Sequence, residues 1–346
     1  MRTTRSFELP PDKAQVNRRA IRLEWITLGY LITAIFFLYV TLGASQAMKA
    51  AWMEDLLSLV PPISFLVASR IRHRPPNERF PFGFHRAVSV GYLVASVALF
   101  SMGLYILYDS VSKLASFEHA PIGLVQPWGE PIWLGWFMIP ALVHSAVPAV
   151  ILGRIKLPLA RELHDKILFA DAKMNKADWL TAVAAMVGVI GIGLGLWWLD
   201  SVAAILISLD ITHDGVKNLR AATADLMDAR PTRIGDSALD PLPARIRTEM
   251  ASTTWVKDVA VRVREEGHVF FADIQVVPTT SENLTSRVAT VAQQLMDLDW
   301  RLHDVVIMPV DEIESEVDEP AVAESGSKQK GRSRSDVDRD AKRRAD

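Results

Sequence analysis

Two short stretches place oxygen-bearing side chains at helical spacing inside apolar surroundings. In the first, Glu54 and Ser58 are four apart and share a helix face, and Asp55 and Ser58, three apart, roughly share another. Glu54 and Asp55 are neighbours, so they point about 100° apart and cannot both enter one narrow seam. In the second, Asp171, Asn175 and Asp178 lie at i, i+4 and i+7, and Met174 shares a face with Asp178. A carboxylate in a segment long enough to cross a bilayer is expensive, and it faces a partner, an ion or a water-filled cavity. Two helices that each offer such oxygens can build a four-oxygen divalent-cation site between them. Ligands must be deprotonated to hold a metal, so binding there is tied to proton movement. The alternative for Glu54 and Asp178 is a place near the interface with the carboxylate reaching water. Asp171 follows a basic loop and is equally open to that reading.

The elements that would position these groups are apolar runs of membrane-crossing length, roughly 20 residues each. Six are expected, at about residues 25–43, 47–68, 87–109, 132–151, 173–199 and 202–215. Pro61-Pro62 should kink the second, and a very short turn at Asp200-Ser201 should separate the last two. Six spans put both termini on one side. The basic arm 1–22, the loop from Arg70 to Arg86 and the loop from Arg154 to Lys176 all fall on that side, and Lys113 is the sole basic residue in the opposite loops. The positive-inside rule then makes the termini cytoplasmic, in a multi-pass protein of the cell (inner or plasma) membrane. Trp197 and Trp198 fit an interfacial aromatic belt, and His144 reads as a helix–helix hydrogen bond. Asp210 is expected to pair with an Arg or Lys at the cytoplasmic edge, Arg79 or Arg86 among the candidates, rather than to bind metal.

After the membrane region, 23–215, a connecting helix and linker cover 216–243. Residues 244–310 read as helix, strand, hairpin strand, helix and strand, with Glu266-Gly267-His268 as the hairpin turn. The tail 311–346 is charged and nearly free of bulky apolar residues, which predicts disorder. The fold class expected is thus an all-α transmembrane domain followed by a small α+β domain.

Composition narrows the chemistry. Half of the 346 residues are hydrophobic, so a membrane region is expected. The net charge of −2 gives no reason to expect nucleic acid as a partner. No cysteine is present, which removes disulfides and thiolate metal sites. No Gly-rich phosphate loop, nucleophile elbow or His-Glu-x-x-His occurs, so an enzyme is not expected.

Four motifs in order resemble the cation diffusion facilitator family of metal exporters. Phe80-Pro-Phe-Gly-Phe-His-Arg86 is similar to the signature before the third span, and Ala170-Asp-Ala-Lys-Met-Asn-Lys-Ala-Asp178 to the fifth-span motif. Asp200-Ser-Val-Ala-Ala resembles the start of the sixth span, and Val261-Arg-Val-Arg-Glu-Glu-Gly267 the hairpin of the cytoplasmic domain. The resemblance implies six spans, a ferredoxin-like cytoplasmic dimerisation domain, a homodimer, and export of a divalent cation by proton antiport. It implies no prosthetic group. The family's transport site pairs His or Asp with Asp four residues further on, on the second and fifth spans. Here those positions hold Glu54 and Ser58, then Met174 and Asp178, with Asp55 and Asn175 one residue along. The missing site histidine argues against a typical zinc exporter. Within the expected Mn, Fe, Zn or Co class, oxygen-rich ligation favours Mn²⁺ or Fe²⁺, and the Met174 thioether would soften that preference. Positions where many members carry metal-binding His in the cytoplasmic domain hold Ala260, Gln275 and Met308, so no metal cluster is expected there. The alternative is a transport-inactive, membrane-anchored dimeric scaffold or sensor of the same fold.

Overall fold

A computed structural model describes residues 9–42, 46–72, 74–117, 124–125, 132–196, 198–235, 238–267 and 269–313. His73, Trp197, His268 and nearly all of the charged tail lie outside the described residues. Seven helices come first: α1 (Pro11–Thr41), α2 (Gln46–Leu57), α3 (Val60–Arg72), α4 (Arg86–Ala115), α5 (Gly135–Leu163), α6 (Lys166–Gly193) and α7 (Leu199–Leu226). Four segments, Pro11–Thr41, Ala51–Arg72, Arg86–Ala115 and Gly135–Leu163, are long and apolar enough to cross a membrane. Their polarity is inverted relative to a water-soluble bundle. Along α1 the buried stripe is Asn17, Ala20, Glu24, Thr27, Leu31, Ala34 and Leu38, while Trp25, Ile32, Phe36 and Tyr39 face outward. Apolar groups pointing away from the bundle suit lipid as solvent.

The helix bounds differ from the sequence expectation in instructive ways. The second segment divides into α2 and α3 at a two-residue break, 58–59, with Ser58 N still bonded to Glu54 O and Ile63 N to Leu59 O, so the expected irregularity falls just before Pro61-Pro62. Pro61 and Pro62 sit in the first turn of α3, where a missing N–H is tolerated. The fifth helix begins at Lys166 rather than 173 because Asp165 caps it: Asp165 Oδ1 accepts from the Ile167 and Leu168 N–H groups at 3.1 Å. The turn between α6 and α7 lies at 194–198, so Asp200 and Ser201 are inside α7. Helix α7 runs on through the stretch expected as a separate connecting helix. Helix α4 runs past the expected third span to Ala115, and Leu124–Val125 pairs with Ile132–Trp133 as a two-stranded ladder, β1 with β2. Helix α4 packs along α7, α5 along α6, and α1 along α5. The α4–α7 approach depends on Gly215, where a Cβ would stand 2.7 Å from Phe100 Cα.

The C-terminal unit follows the order α8 (Leu242–Ala251), β3 (Val256–Glu266), β4 (Val269–Pro278), α9 (Leu284–Leu298), β5 (Leu302–Pro309). Its sheet runs β3-β4-β5, antiparallel then parallel. Period-two burial of Phe270, Ala272, Ile274 and Val276 meets the i, i+4, i+8 stripe Leu242, Ile246 and Met250 of α8. Ala260, Gln275 and Met308 lie side by side across the three strands, and none of the three side chains is ionisable.

Candidate metal transport site

The break after Leu57 brings Ser58 to α6. Ser58 Oγ donates to Asp178 Oδ1 at 2.6 Å, and both residues are buried. Glu54 lies one turn earlier on the same face, within reach of the Asp178 charge, and its Oε1 is buried with no hydrogen-bond partner among the described residues. Glu54 and Thr181 open onto a cavity of about 30 Å³ that also meets Asp109, Ser110 and Lys113 near the end of α4 and Ser201 of α7. That volume is about the share of one liquid water. Asp109 and Lys113 form an ion pair at its rim. The prolines add a further polar feature. Pro61 and Pro62 have no N–H to give to the carbonyls of Leu57 and Ser58, four residues back, so the usual i+4 helical bonds to these two oxygens are missing near the Ser58–Asp178 contact.

The other expected site residues go elsewhere. Asp55 faces α5, where Ser145 Oγ donates to its Oδ1 and Oδ2 at 3.3 and 3.1 Å. Asp171 is neither wet nor aimed at the Ser58–Asp178 pair: it holds Lys156, which also donates to Glu24 Oε2 at 2.9 Å. All three side chains are buried, and they tie α1, α5 and α6 together. Asn175 Nδ2 donates to the Asp171 carbonyl at 3.0 Å and to Asp171 Oδ2 at 3.3 Å. Met174 packs in an apolar cluster with Leu99, Met102, Ile106 and Ile211, which turns its thioether toward α4 and α7. Among the described residues, no group of three or more His, Asp or Glu is disposed to hold a metal. Asp210 pairs with a lysine, Lys176, at 3.1 Å, as the expectation of a basic partner has it, although the partner is neither Arg79 nor Arg86; Arg86 meets Asp228 at 2.7 Å. His144 meets Thr33 Oγ1 at 3.0 Å across α5 and α1.

Glu24, Ser145 and Lys156 were not among the residues singled out in the sequence. A fourth span ending near 151 leaves Lys156 in a basic loop, whereas α5 continues to Leu163 and buries it. The available signal was the spacing of Lys156 and Ala160, four apart and both facing inward on an extended helix.

Residues 24–227, well over half of the chain, match the cation efflux transmembrane domain. The chain belongs to the cation efflux family. It is therefore an integral membrane protein of a family of transporters, not of enzymes. The manganese efflux system protein MneS of Bacillus subtilis is 25% identical over 201 residues, covering 58% of this chain and 65% of that protein. The manganese efflux system protein MneP of the same organism is 23% identical over 273 residues, covering 76% and 84%. The magnetosome protein MamB of Magnetospirillum gryphiswaldense is 24% identical over 186 residues, covering 54% of each chain. The chain thus spans just under two thirds of the length of MneS and about half that of MamB.

Proposed function

We propose that this cation efflux protein is a secondary transporter that exports a divalent metal cation from the cytoplasm in exchange for protons. The supporting observation is the buried Ser58–Asp178 contact, with the unpartnered Glu54 oxygen beside it and a small cavity that Glu54 and Thr181 share with Asp109 and Lys113. Glu54 and Asp178 are the charged ligands, Ser58 and the Leu57 and Ser58 carbonyls the neutral ones. Asp55, one helical step from Glu54, joins when it leaves Ser145. An all-oxygen set favours Mn²⁺ or Fe²⁺, and two relatives carry manganese efflux in their names. Broken helices whose ends face a buried site are a recurring device of secondary transporters. Displacement of protons from the carboxylates by the metal supplies the coupling.

The topology that goes with this reading has six spans, with α2 and α3 forming one broken span and α6 and α7 the fifth and sixth. Both termini are cytoplasmic. Residues 23–215 form the membrane domain, 216–243 the connection, and 244–310 a ferredoxin-like unit that pairs two copies into a homodimer. The dimeric scaffold reading keeps one supporting observation, the lack of a three-ligand cluster among the described residues.

Metal-stimulated proton flux in proteoliposomes tests both. Mn²⁺, Fe²⁺, Co²⁺, Ni²⁺, Zn²⁺ and Cd²⁺ are compared on wild type, Asp178→Ala and Glu54→Ala/Asp55→Ala. Flux with Mn²⁺ or Fe²⁺, lost in both variants, is the expected result. No flux with any ion from folded dimeric protein would leave the scaffold.

A further inference from the structure

The transport site leaves out one set of buried ionisable groups. Glu24 of α1 and Lys156 of α5 have no exposed surface, and Asp171 of α6 has almost none. Lys156 Nζ donates to Glu24 Oε2 at 2.9 Å and to Asp171 Oδ2. The two carboxyl groups thus share one ammonium, and they stand within hydrogen-bonding reach of each other. Asn175 Nδ2 adds a donor to Asp171 Oδ2, whereas Glu24 Oε1 is buried with no hydrogen-bond partner among the described residues.

Fully ionised, this set holds one more negative charge than positive. An excess buried charge is expensive, and adjacent carboxyl groups resolve such an excess by sharing a proton. The Glu24 oxygen without a donor agrees, since an ionised carboxylate draws donors to both oxygens. A set that only pinned three helices would not need the second carboxylate, because Lys156 and Asp171 alone balance. The charged groups that reach Glu24 are Lys156 and Asp171. Of the other helices packed on α1, α2 brings Glu54 and Asp55 to the level of Tyr30, and α3 brings Arg72 to the level of Asn17, where Asp165 balances it.

The set also adjoins the transport site. Asp171 and Asp178 share one stripe of α6, and Asp178 is within reach of both the Asp171 and the Lys156 charge. Tyr30, further along α1 from Glu24, is reached by Asp171 and equally by Asp178, Asp55 and Glu54. A divalent cation held by Glu54 and Asp178 therefore adds positive charge beside the set and favours its fully ionised form.

We propose, on the metal-transport reading above, that Glu24, Lys156 and Asp171 form a proton-binding station, separate from the metal ligands, that gives up one proton when the metal binds and regains one when it leaves. The bond that breaks is the carboxyl O–H shared by Glu24 and Asp171. Its electron pair stays on the carboxylate oxygen, and the proton goes to water. Lys156 keeps its own proton throughout and then pairs with two carboxylates.

Titration of Mn²⁺ into the detergent-purified full chain over a range of pH provides the test. The slope of log affinity against pH counts the protons displaced per ion bound. Wild type is compared with Glu24→Gln and Asp171→Asn, each of which leaves Lys156 facing one carboxylate and so keeps the charges balanced. The slope is expected to fall by about one in either variant. Its affinity relative to wild type then rises about tenfold for each unit that the pH is lowered. A slope unchanged in the folded variants, whatever their thermal midpoints, reduces the set to a pin between helices and overturns the proposal. A fall in only one of two folded variants overturns it as well, because the proton belongs to the pair. Should one variant fail to fold, the other decides. Asp178→Ala, measured alongside, separates this inference from the transport reading. Binding lost there, with the slope unchanged in the other two, keeps the transport reading and sinks the proton station alone. No Mn²⁺ binding to folded wild type sinks both.

Discussion

A lysine with no exposed surface inside a membrane bundle has to be held by carboxylates, and Lys156 is held by two. Removing one member of a buried ionic set leaves an uncompensated charge, which costs about 3–5 kcal/mol. Lys156→Met should therefore lower the thermal midpoint of the detergent-solubilised protein markedly. Adding Glu24→Gln and Asp171→Asn should recover most of the loss, because neutral groups of the same shape carry no such penalty. A triple variant no more stable than Lys156→Met would show that the set is not what joins α1, α5 and α6. Ser58 sits at the other extreme, a small group acting through one hydrogen bond. Its hydroxyl fixes the Asp178 carboxylate, and loss of such an orienting partner typically costs about 10–100-fold in metal affinity. Ser58→Ala should weaken metal binding by that factor in a titration while leaving the thermal midpoint near wild type. The stripe of Asp171, Asn175 and Asp178 was legible because helical spacing is local. That Lys156 occupies Asp171 was not, since the pairing joins α5 to α6 and depends on where α5 ends.

At the scale of elements, the break between α2 and α3 matters most. Pro61-Pro62 announced an irregularity in the sequence, but period and composition could not say that it would take the form of a two-residue break just before the prolines. The prolines have a chemical consequence, since they withhold the i+4 bonds from the Leu57 and Ser58 carbonyls close to the Ser58–Asp178 contact. Pro61→Ala/Pro62→Ala restores both donors and favours one continuous helix. The double variant should keep or raise thermal stability and lower metal-stimulated flux about tenfold, equivalent to ~1.4 kcal/mol of barrier. Wild-type flux in a stable double variant would mean that the broken helix is incidental to transport. The length of α7 escaped the sequence for a related reason. Its outer half is polar enough to read as a separate surface helix, yet residues 199–226 are one element, and Asp225 near its end accepts from Lys166 at 2.6 Å.

At the scale of the whole molecule, the membrane bundle and the C-terminal unit meet through side chains that no local pattern relates. The β3–β4 turn abuts the start of α4: Gly267 N donates to Ser89 Oγ at 3.3 Å, and a Cβ on Gly267 would stand 2.7 Å from Val88 Cβ and 2.8 Å from the His85 carbonyl oxygen. With φ at +76°, Gly267 is also in the left-handed region, where another residue is strained by roughly 1–2 kcal/mol. Gly267→Ala should loosen this contact and speed hydrogen exchange in β3 and β4. Beside the turn, Glu265 Oε1 lies 3.2 Å from His164 Nε2 and 2.9 Å from Lys166 Nζ. Burial pushes the Glu265 carboxyl up, but the His164 hydrogen bond and the Lys166 charge outweigh it and hold it below the ordinary 4.5. Its contribution to stability is therefore complete above pH 4.5 and is lost as pH falls further. His303, packed at a tilt against His85 with centroids 4.6 Å apart, behaves differently. Burial lowers its protonation below the usual 6.5, only partly opposed by Asp304. Below pH 6.5 the unfolded chain gains a proton that the folded chain refuses, so stability falls with pH from that point. Two limbs are expected in the thermal midpoint of the full chain, one starting near 6.5 and a second below 4.5. His303→Phe, which keeps a ring in that place, should remove the first limb and retain the second. A His303→Phe profile superimposable on wild type would mean that the first limb arises from another group and that His303 does not set it.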